Sequence, residues 1–298
     1  MKSSINFING DISAVQGVNL SIFKKALYFL FFLKESFFEK RVRSKLNLEI
    51  DTSEIDDFLQ TSDWDIFSPS RLACTAYIID FLRKNFPKDK EIKVLDIGCG
   101  SGRYYDYFKN LGYKINYFGF DIKKSTTWDK SSEKVNFFEI ALGENKIELL
   151  SEIEEQLKDV DLVFSHSALE HIENDIAAVS EICQFCQEAT HLHLVPAVAM
   201  FPNELLHGWR RYTPRNLKKF GKILSKEIVF DPIGNKKTFK SFFSYHYGLD
   251  SKKLSYDFLK YYKYDYEPRR DIRSISFPNI GEYPVFYALI INPLFLRK

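Results

Sequence analysis

Three glycines fall within five positions in the stretch VLDIGCGSGRYYDYF, at Gly98, Gly100 and Gly102, with Cys99 between the first two. Glycine lacks Cβ, so a backbone built this way turns tightly and lets a ligand approach its N–H groups. The spacing is GxGxG. The dinucleotide fingerprint requires its third glycine one place later, where Arg103 stands. Taken alone, the turn also serves to seat a helix close to a strand. Two carboxylates narrow the choice. Asp96 lies just before the turn, where it can face a positively charged ligand group. Asp121, in GFDI, sits where a strand-end carboxylate accepts hydrogen bonds from ribose hydroxyls, or else caps a helix.

These residues need a scaffold, and the pattern around them supplies one. SPSRLACTAYIIDFLRKNFPKD has helical spacing, with Pro69 suited to the first turn, Leu72, Tyr77, Ile78, Phe81 and Leu82 on one face, and Pro87 just beyond. Short apolar or β-branched runs follow: IKVLDIG, INYFGFDI, VNFFEIAL, VDLVFSHS and THLHLVPA, separated by helix-length segments. RNLKKFGKIL reads as a helix, KEIVFDPIG and YPVFYALIINP as further strands. Strands alternating with helices imply a parallel sheet covered on both faces. Its ligands bind at the carboxyl ends of the strands, where the strand order reverses.

A ligand with a cationic amino-acid end and a nucleoside end accounts for both acids, and S-adenosylmethionine is such a ligand. VLDIGCGSG, GFDI and DLVFSHSALEHIENDIAAVSEI together resemble the class I S-adenosylmethionine-dependent methyltransferases, in the broad group that includes quinone-biosynthesis and sugar methyltransferases. The resemblance covers about residues 70–230 and, more loosely, the last strand. It implies a Rossmann-like, seven-stranded, mostly parallel α/β sheet with helices on both faces and the last strand antiparallel. It also implies roles. Gly98, Cys99, Gly100 and Gly102 would pass close to the methionine part. Asp96 would order its amino group directly or through water, and Asp121 would hold the ribose. Ile122 would lie beside the adenine, with Ala141 and Leu142 over its other face. Many members carry an acidic or polar residue after the third strand, whereas EIALGEN offers apolar residues first. Ser165 and His166 would end the fourth strand next to the reacting methyl.

Methyl transfer to a hydroxyl requires alignment of the acceptor, exclusion of water and removal of a proton. Histidine is the usual base, and His166, His171 and His207 are the candidates. Glu170 and His171, in SALEHI, otherwise simply start the next helix. His191 and His193 alternate along one strand and share a face, which suits packed histidines. His207 belongs to PNELLHGWRRYTPRNLKKF, where Trp209, Arg210, Arg211 and Tyr212 suit a sugar, nucleobase or phosphate ligand. A Trp packed under the loop, with its arginines paired to acids, is the structural alternative. The segment resembles loops of methyltransferases from bacterial surface-glycan synthesis, which implies a saccharide or nucleotide-sugar acceptor. A lipid or quinone acceptor, or a catalytically silent scaffold of the same fold, is the alternative. No clustered carboxylates flank these strand ends, so no metal is expected.

The 298-residue chain can bury a substantial core, and one large domain with additions is the expected organisation. Its net charge of +2, with both signs interspersed, gives no reason to invoke nucleic acid. Cys74, Cys99, Cys183 and Cys186 are few, no secretory signal precedes them, and a reduced, cytoplasmic compartment is expected. The lone CxxC of Cys183 and Cys186 lacks a second ligand pair and suits helix packing. Residues 1–65 read as an N-terminal helical extension and 66–298 as the main domain. Within the latter, 235–282 is an aromatic, charged insertion that could cover the acceptor. Within residues 20–38 the unbroken apolar run, Ala26 to Leu33, is too short to span a bilayer, and the segment suits a helix lying on the core, a partner or a membrane surface, membrane contact being the less favoured. Oligomeric state is not legible.

Overall fold

A computed structural model describes residues 5–8, 11–14, 26, 30, 69–130, 134–143, 153–197, 211–233 and 284–292. The insertion at 235–282, and His207, Trp209 and Arg210, lie outside the described residues, as do most of residues 1–65. Of the 20–38 segment, Ala26 and Leu30 are described; both are helical and exposed.

The first described element is an antiparallel hairpin, β1 (Ile5–Ile8) and β2 (Asp11–Ala14), with Ile5 opposite Ala14. The helical extension expected over residues 1–65 includes no strands, although Asn9-Gly10 is a strong hairpin-turn signal. Helix α1 (Pro69–Asn85) begins at the expected proline. From Ala73 to Leu82 it is buried all round rather than on one apolar face. Small and weakly polar residues such as Ala73, Cys74 and Thr75 fill positions that a stripe-based reading leaves to solvent.

Seven strands form one sheet: β3 (Glu91–Ile97), β4 (Lys114–Asp121), β5 (Val135–Glu139), β6 (Leu162–His166), β7 (Thr190–Pro196), β8 (Ile228–Ile233) and β9 (Phe286–Ile291), in the order β5-β4-β3-β6-β7-β9-β8. The neighbours from β5 to β7 pair in parallel, and Asp96 on β3 stands level with Gly119 on β4 and Phe164 on β6. The last strand runs the other way. Ala197 N–H donates to the Val285 carbonyl while Thr190 Oγ1 donates to the Asn292 carbonyl, so β7 ascends where β9 descends. The same holds on the other side, through Val285 to Ile233 and Asn292 to Glu227. The Rossmann-like sheet with an antiparallel last strand is therefore present, with that strand inserted one place in from the edge.

The chain divides into two compact units. One comprises Met1–Phe81, Val195–Leu217 and Phe230–Ala288; the other, Leu82–Leu194, Lys218–Val229 and Leu289–Lys298. In the first, Tyr77 Oη donates to the buried Asp231 carboxylate at 3.0 Å, and Tyr212 N–H donates to the Pro196 carbonyl. The second carries the glycine turn, both acids and the end of β6. There, period-2 alternation sorts the strand residues onto two faces. Leu95, Ile97, Phe118, Phe120 and Val163 pack with Ala178 and Ile182 of α4 (Asp175–Phe185), α3 being the short Glu154–Leu157 helix. On the opposite face Phe164 meets Tyr104 and Phe108 of α2 (Arg103–Asn110) edge-on. Helices thus cover both faces of this unit. Following β3, the chain places β4 and β5 on one side and β6 on the other. The order reverses at the carboxyl end of β3, the position at which such sheets bind ligands.

Candidate cofactor-binding site

The glycine turn occupies that reversal point, and its three glycines do different work. All have left-handed backbone, with φ of 71° at Gly98, 55° at Gly100 and 76° at Gly102. A Cβ at Gly98 would stand 2.4 Å from the Ala168 Cβ, and one at Gly102 2.5 Å from Phe137. These two glycines allow close packing. At Gly100 a Cβ would meet nothing within 4 Å, and the residue is exposed. Gly98 is exposed as well, but of the three only Gly100 leaves its Cβ side open, so the part of the turn accessible to a ligand is centred on it.

Backbone and side chains fix Gly100 from both directions. Its N–H donates to Asp121 Oδ2 at 2.8 Å, and its carbonyl accepts from the indole Nε1 of Trp128 at 2.8 Å. Next to it, Thr127 Oγ1 donates to the Ser101 carbonyl at 3.0 Å. Trp128 is buried and stacked on Phe137, with ring centroids 5.1 Å apart and planes 8° apart. Phe137 is the ring beneath Gly102, so one aromatic pair supports the whole turn. The remaining oxygen of Asp121 accepts from Lys123 N–H at 3.3 Å. Thr127 N–H is met by Ser125 Oγ, which takes the turn-capping position that the sequence left open for Asp121. Each Asp121 oxygen retains a lone-pair direction for a further donor.

Asp96 sits one layer down. It is 1 % exposed and accepts from Tyr117 Oη at 2.5 Å. Burial pushes its carboxyl up to about 7; the phenol's hydrogen bond opposes this and the charge of Asp121 adds to it. Burial, with both carboxylates nearby, pushes the Cys99 thiol well above its usual range, which leaves it unreactive. Beside Asp121, the large apolar side chain of Ile122 is 73 % exposed, an apolar rim adjoining a carboxylate. Ala141 is half-buried, whereas Leu142 is packed into the core with Ile140 and Ile153. Gly143, following them, donates its N–H to the buried Glu181 carboxylate at 3.0 Å and accepts from Asn174 Nδ2 at 3.4 Å.

At the end of β6 two histidine clusters point to opposite faces. His166 pairs through Nδ1 with Tyr104 Oη, and the Tyr104 ring is held between Tyr107, Phe108 and Phe164. On the other face Ser165 Oγ bonds to His193 Nδ1 at 2.8 Å, His193 Nε2 to His191 Nδ1 at 3.3 Å, and His191 Nε2 to the Cys183 sulfur at 3.7 Å. These four groups are buried. Burial holds His193 down to about 3 and His191 well below the ordinary imidazole range, and pushes the Cys183 thiol up to about 11. They are packed polar groups, as the shared face suggested. His171 ends a single 3₁₀ turn, Leu169–His171, with Nε2 3.8 Å from the buried Glu170 carboxylate; α4 begins only at Asp175.

The structure therefore brings Asp96, Gly98, Cys99, Gly100, Gly102, Asp121 and Ile122 together at one strand end, with Ser165 and His166 closing the adjacent strand. Arg211 and Tyr212 belong to the other unit and are both buried, Tyr212 in a parallel bridge with Ala197. Tyr104, Tyr117, Trp128 and Phe137 were missed by sequence reasoning, which assigned aromatic residues to packing. No motif announces them, because each meets a partner distant in the sequence. Among the described residues no three His, Cys, Asp or Glu side chains cluster as a metal site requires, and no helix is long and apolar enough to cross a membrane.

Residues 71–226, just over half of the chain, match the family described as a methyltransferase domain. Among solved structures, the chain is similar to an S-adenosylmethionine-dependent methyltransferase from Archaeoglobus fulgidus (16% identity, 73% of this chain and 93% of that chain, TM-score 0.42). It is also similar to a 1,6-didemethyltoxoflavin-N1-methyltransferase from Burkholderia thailandensis (12% identity, 98% of each chain, TM-score 0.42). A third similar structure is the plantazolicin methyltransferase BamL (16% identity, 90% and 97% coverage, TM-score 0.45). No curated protein matches the chain.

Proposed function

The chain belongs to the methyltransferase-domain family, and from that premise we propose that this S-adenosylmethionine-dependent enzyme methylates an oxygen of a saccharide or nucleotide sugar. The observation that carries the site assignment is Gly100, exposed, open on its Cβ side, and tied through its N–H to Asp121. The residues fit the cofactor. The bare edge of Gly100 admits its methionine chain, Asp121 offers lone pairs to the ribose hydroxyls, and Ile122 with Ala141 provides apolar flanks for adenine. Asp96 answers the ammonium, directly or through one water. Leu142, packed in the core, contributes by holding Ala141 in place.

The cofactor supplies a methyl group on a sulfonium, an electrophile that needs no activation by the protein. What remains for the chain is alignment of the acceptor oxygen and removal of its proton. His166 at the end of β6 and His171 in the 3₁₀ turn after it are the described candidates for the base, and His207 lies outside the described residues. Trp209 and Arg210 support the saccharide reading by residue type, since aromatic faces suit sugar rings and arginine forks suit phosphate; Arg211 and Tyr212 are buried and do not offer theirs. Four unpaired thiols support a reducing, cytoplasmic compartment.

The test is transfer of a labelled methyl group to a panel of nucleotide sugars, free saccharides, quinones and lipids. Labelling of a sugar hydroxyl, lost in His166→Ala or His171→Ala with cofactor affinity retained, supports the reading. Labelling confined to quinones or lipids refutes the acceptor class while leaving the cofactor assignment in place.

A further inference from the structure

Asp96 lacks a partner of the kind its position calls for. It is 1 % exposed, its one described hydrogen bond comes from the phenol of Tyr117, and a second carboxylate, Asp121, is close enough to act on its charge. The titratable groups coupled to it are Tyr117 and Asp121 on β4 and Cys99 in the turn, and beyond Tyr117 stands Tyr104 of α2, bonded to His166 of β6. Among the described residues none of the groups acting on Asp96 is a cation. A fully buried carboxyl with a second carboxylate nearby and only neutral groups otherwise is costly to ionise, and the least costly remedy without a cation is a proton on the buried acid.

We infer that Tyr117 and Asp96 act as a unit in which the carboxyl releases a proton to solvent when the cationic end of the cofactor arrives, with Tyr117 positioning the carboxylate to receive it. The step balances: the Asp96 O–H bond breaks, its proton leaves to the buffer, and the ammonium, which keeps its own three protons, faces the carboxylate formed. Tyr117 is fully buried, and its ring is held edge-on by Tyr105 and Phe137. With the phenol donating to Oδ2, the other oxygen is the one left for the incoming cation. The inference rests on the assignment of Asp96 to the amino-acid end of S-adenosylmethionine. It adds that affinity for that end depends on pH through one residue, and that Tyr117 sets where.

The experiment is titration calorimetry of the full chain with S-adenosylhomocysteine in buffers of different ionisation enthalpy. 5′-Methylthioadenosine, which has the nucleoside but no ammonium, is the control. Given titration near 7, about three quarters of a proton should be released per S-adenosylhomocysteine at pH 6.5, and none with the control. Asp96→Asn should abolish the release. Tyr117→Phe removes a hydrogen bond that favours the charged form, so the midpoint of affinity against pH should move upward. Binding of S-adenosylhomocysteine without proton release, or equal release with the control, overturns the inference and leaves the site assignment standing. An unmoved midpoint in Tyr117→Phe removes Tyr117 from the unit. Failure of S-adenosylhomocysteine to bind at all removes the site assignment itself. If Asp96→Asn does not fold, the comparison of the two ligands on the unaltered chain decides the matter.

Discussion

The indole N–H of Trp128 donates to the carbonyl oxygen of Gly100 at 2.8 Å, across 28 positions of sequence. On its other side Gly100 gives its N–H to Asp121, so one peptide is pinned between an aromatic lock and a carboxylate. Trp128→Phe keeps a ring to stack on Phe137 but loses the donor. Loss of one such hydrogen bond costs about 1 kcal/mol. Because the freed carbonyl borders solvent, we expect a small fall in stability and a clearer fall in S-adenosylmethionine affinity, roughly three- to tenfold. Denaturation and calorimetry on the same variant separate the two; a stability loss with unchanged affinity would contradict this role.

The three glycines should separate in the same way. Gly98→Ala and Gly102→Ala place a methyl 2.4 Å from Ala168 and 2.5 Å from Phe137, and overpacking of that kind costs about 1–3 kcal/mol beyond the backbone strain. Gly100→Ala meets nothing and bears only the left-handed penalty, about 1–2 kcal/mol. It should be the most stable of the three and still bind cofactor poorly. Melting temperatures with parallel binding curves check this, and a Gly100→Ala protein with full affinity would count against it.

Stability should rise with pH between about 4.5 and 6. His191 and His193 stay neutral in the folded chain while their unfolded counterparts take up protons below about 6.5, so the unfolded state holds two extra protons. Asp96 acts oppositely: folded, it keeps its proton up to about 7, whereas unfolded it loses it near 4. The balance is one proton in favour of the unfolded state, a slope of about 1.4 kcal/mol per pH unit from these groups. Asp96→Asn removes the opposing contribution and should steepen the slope by a similar amount. Urea midpoints at several pH values read it directly; an unchanged slope in the variant would show that Asp96 is ionised in the folded chain.

How much of this could be read from the sequence follows from how local each contact is. Pro69, the apolar runs and the glycine triplet are local signals, and all seven strands and α1 lie where those signals put them. Asp96 and Asp121 are legible as strand-end carboxylates, because β4 ends on Asp121 and β3 one residue past Asp96. Which glycine is open on its Cβ side is not, since that depends on Ala168 and Phe137, 70 and 35 positions away in the chain. Tyr104, Tyr117 and Trp128 were hidden for the same reason. In a chain with 28 Phe and 17 Tyr, no composition or spacing marks the aromatic groups that hold a site from those that fill a core. The all-round burial of α1 likewise depends on what surrounds it rather than on its own periodicity.

The Tyr104–His166 pair gives a test at the end of β6. A phenol bonded to Nδ1 fixes the imidazole ring, and its removal should disturb proton transfer more than binding. With the acceptor in hand, Tyr104→Phe should lower kcat with the S-adenosylmethionine dissociation constant changed less than about twofold, and should shift the pH profile of kcat. A variant with unaltered kcat and profile would leave His171 or His207 as the base.

The central claim is that the exposed edge of Gly100 and the Asp121 carboxylate together hold an adenosyl sulfonium. Calorimetric titration of the unaltered chain and of Asp121→Ala with S-adenosylmethionine and with NAD measures it most directly. The account predicts stoichiometric binding of S-adenosylmethionine, at least tenfold weaker in a folded Asp121→Ala protein, and no binding of NAD. Binding of NAD without binding of S-adenosylmethionine, or equal S-adenosylmethionine affinity in the two proteins, would contradict it.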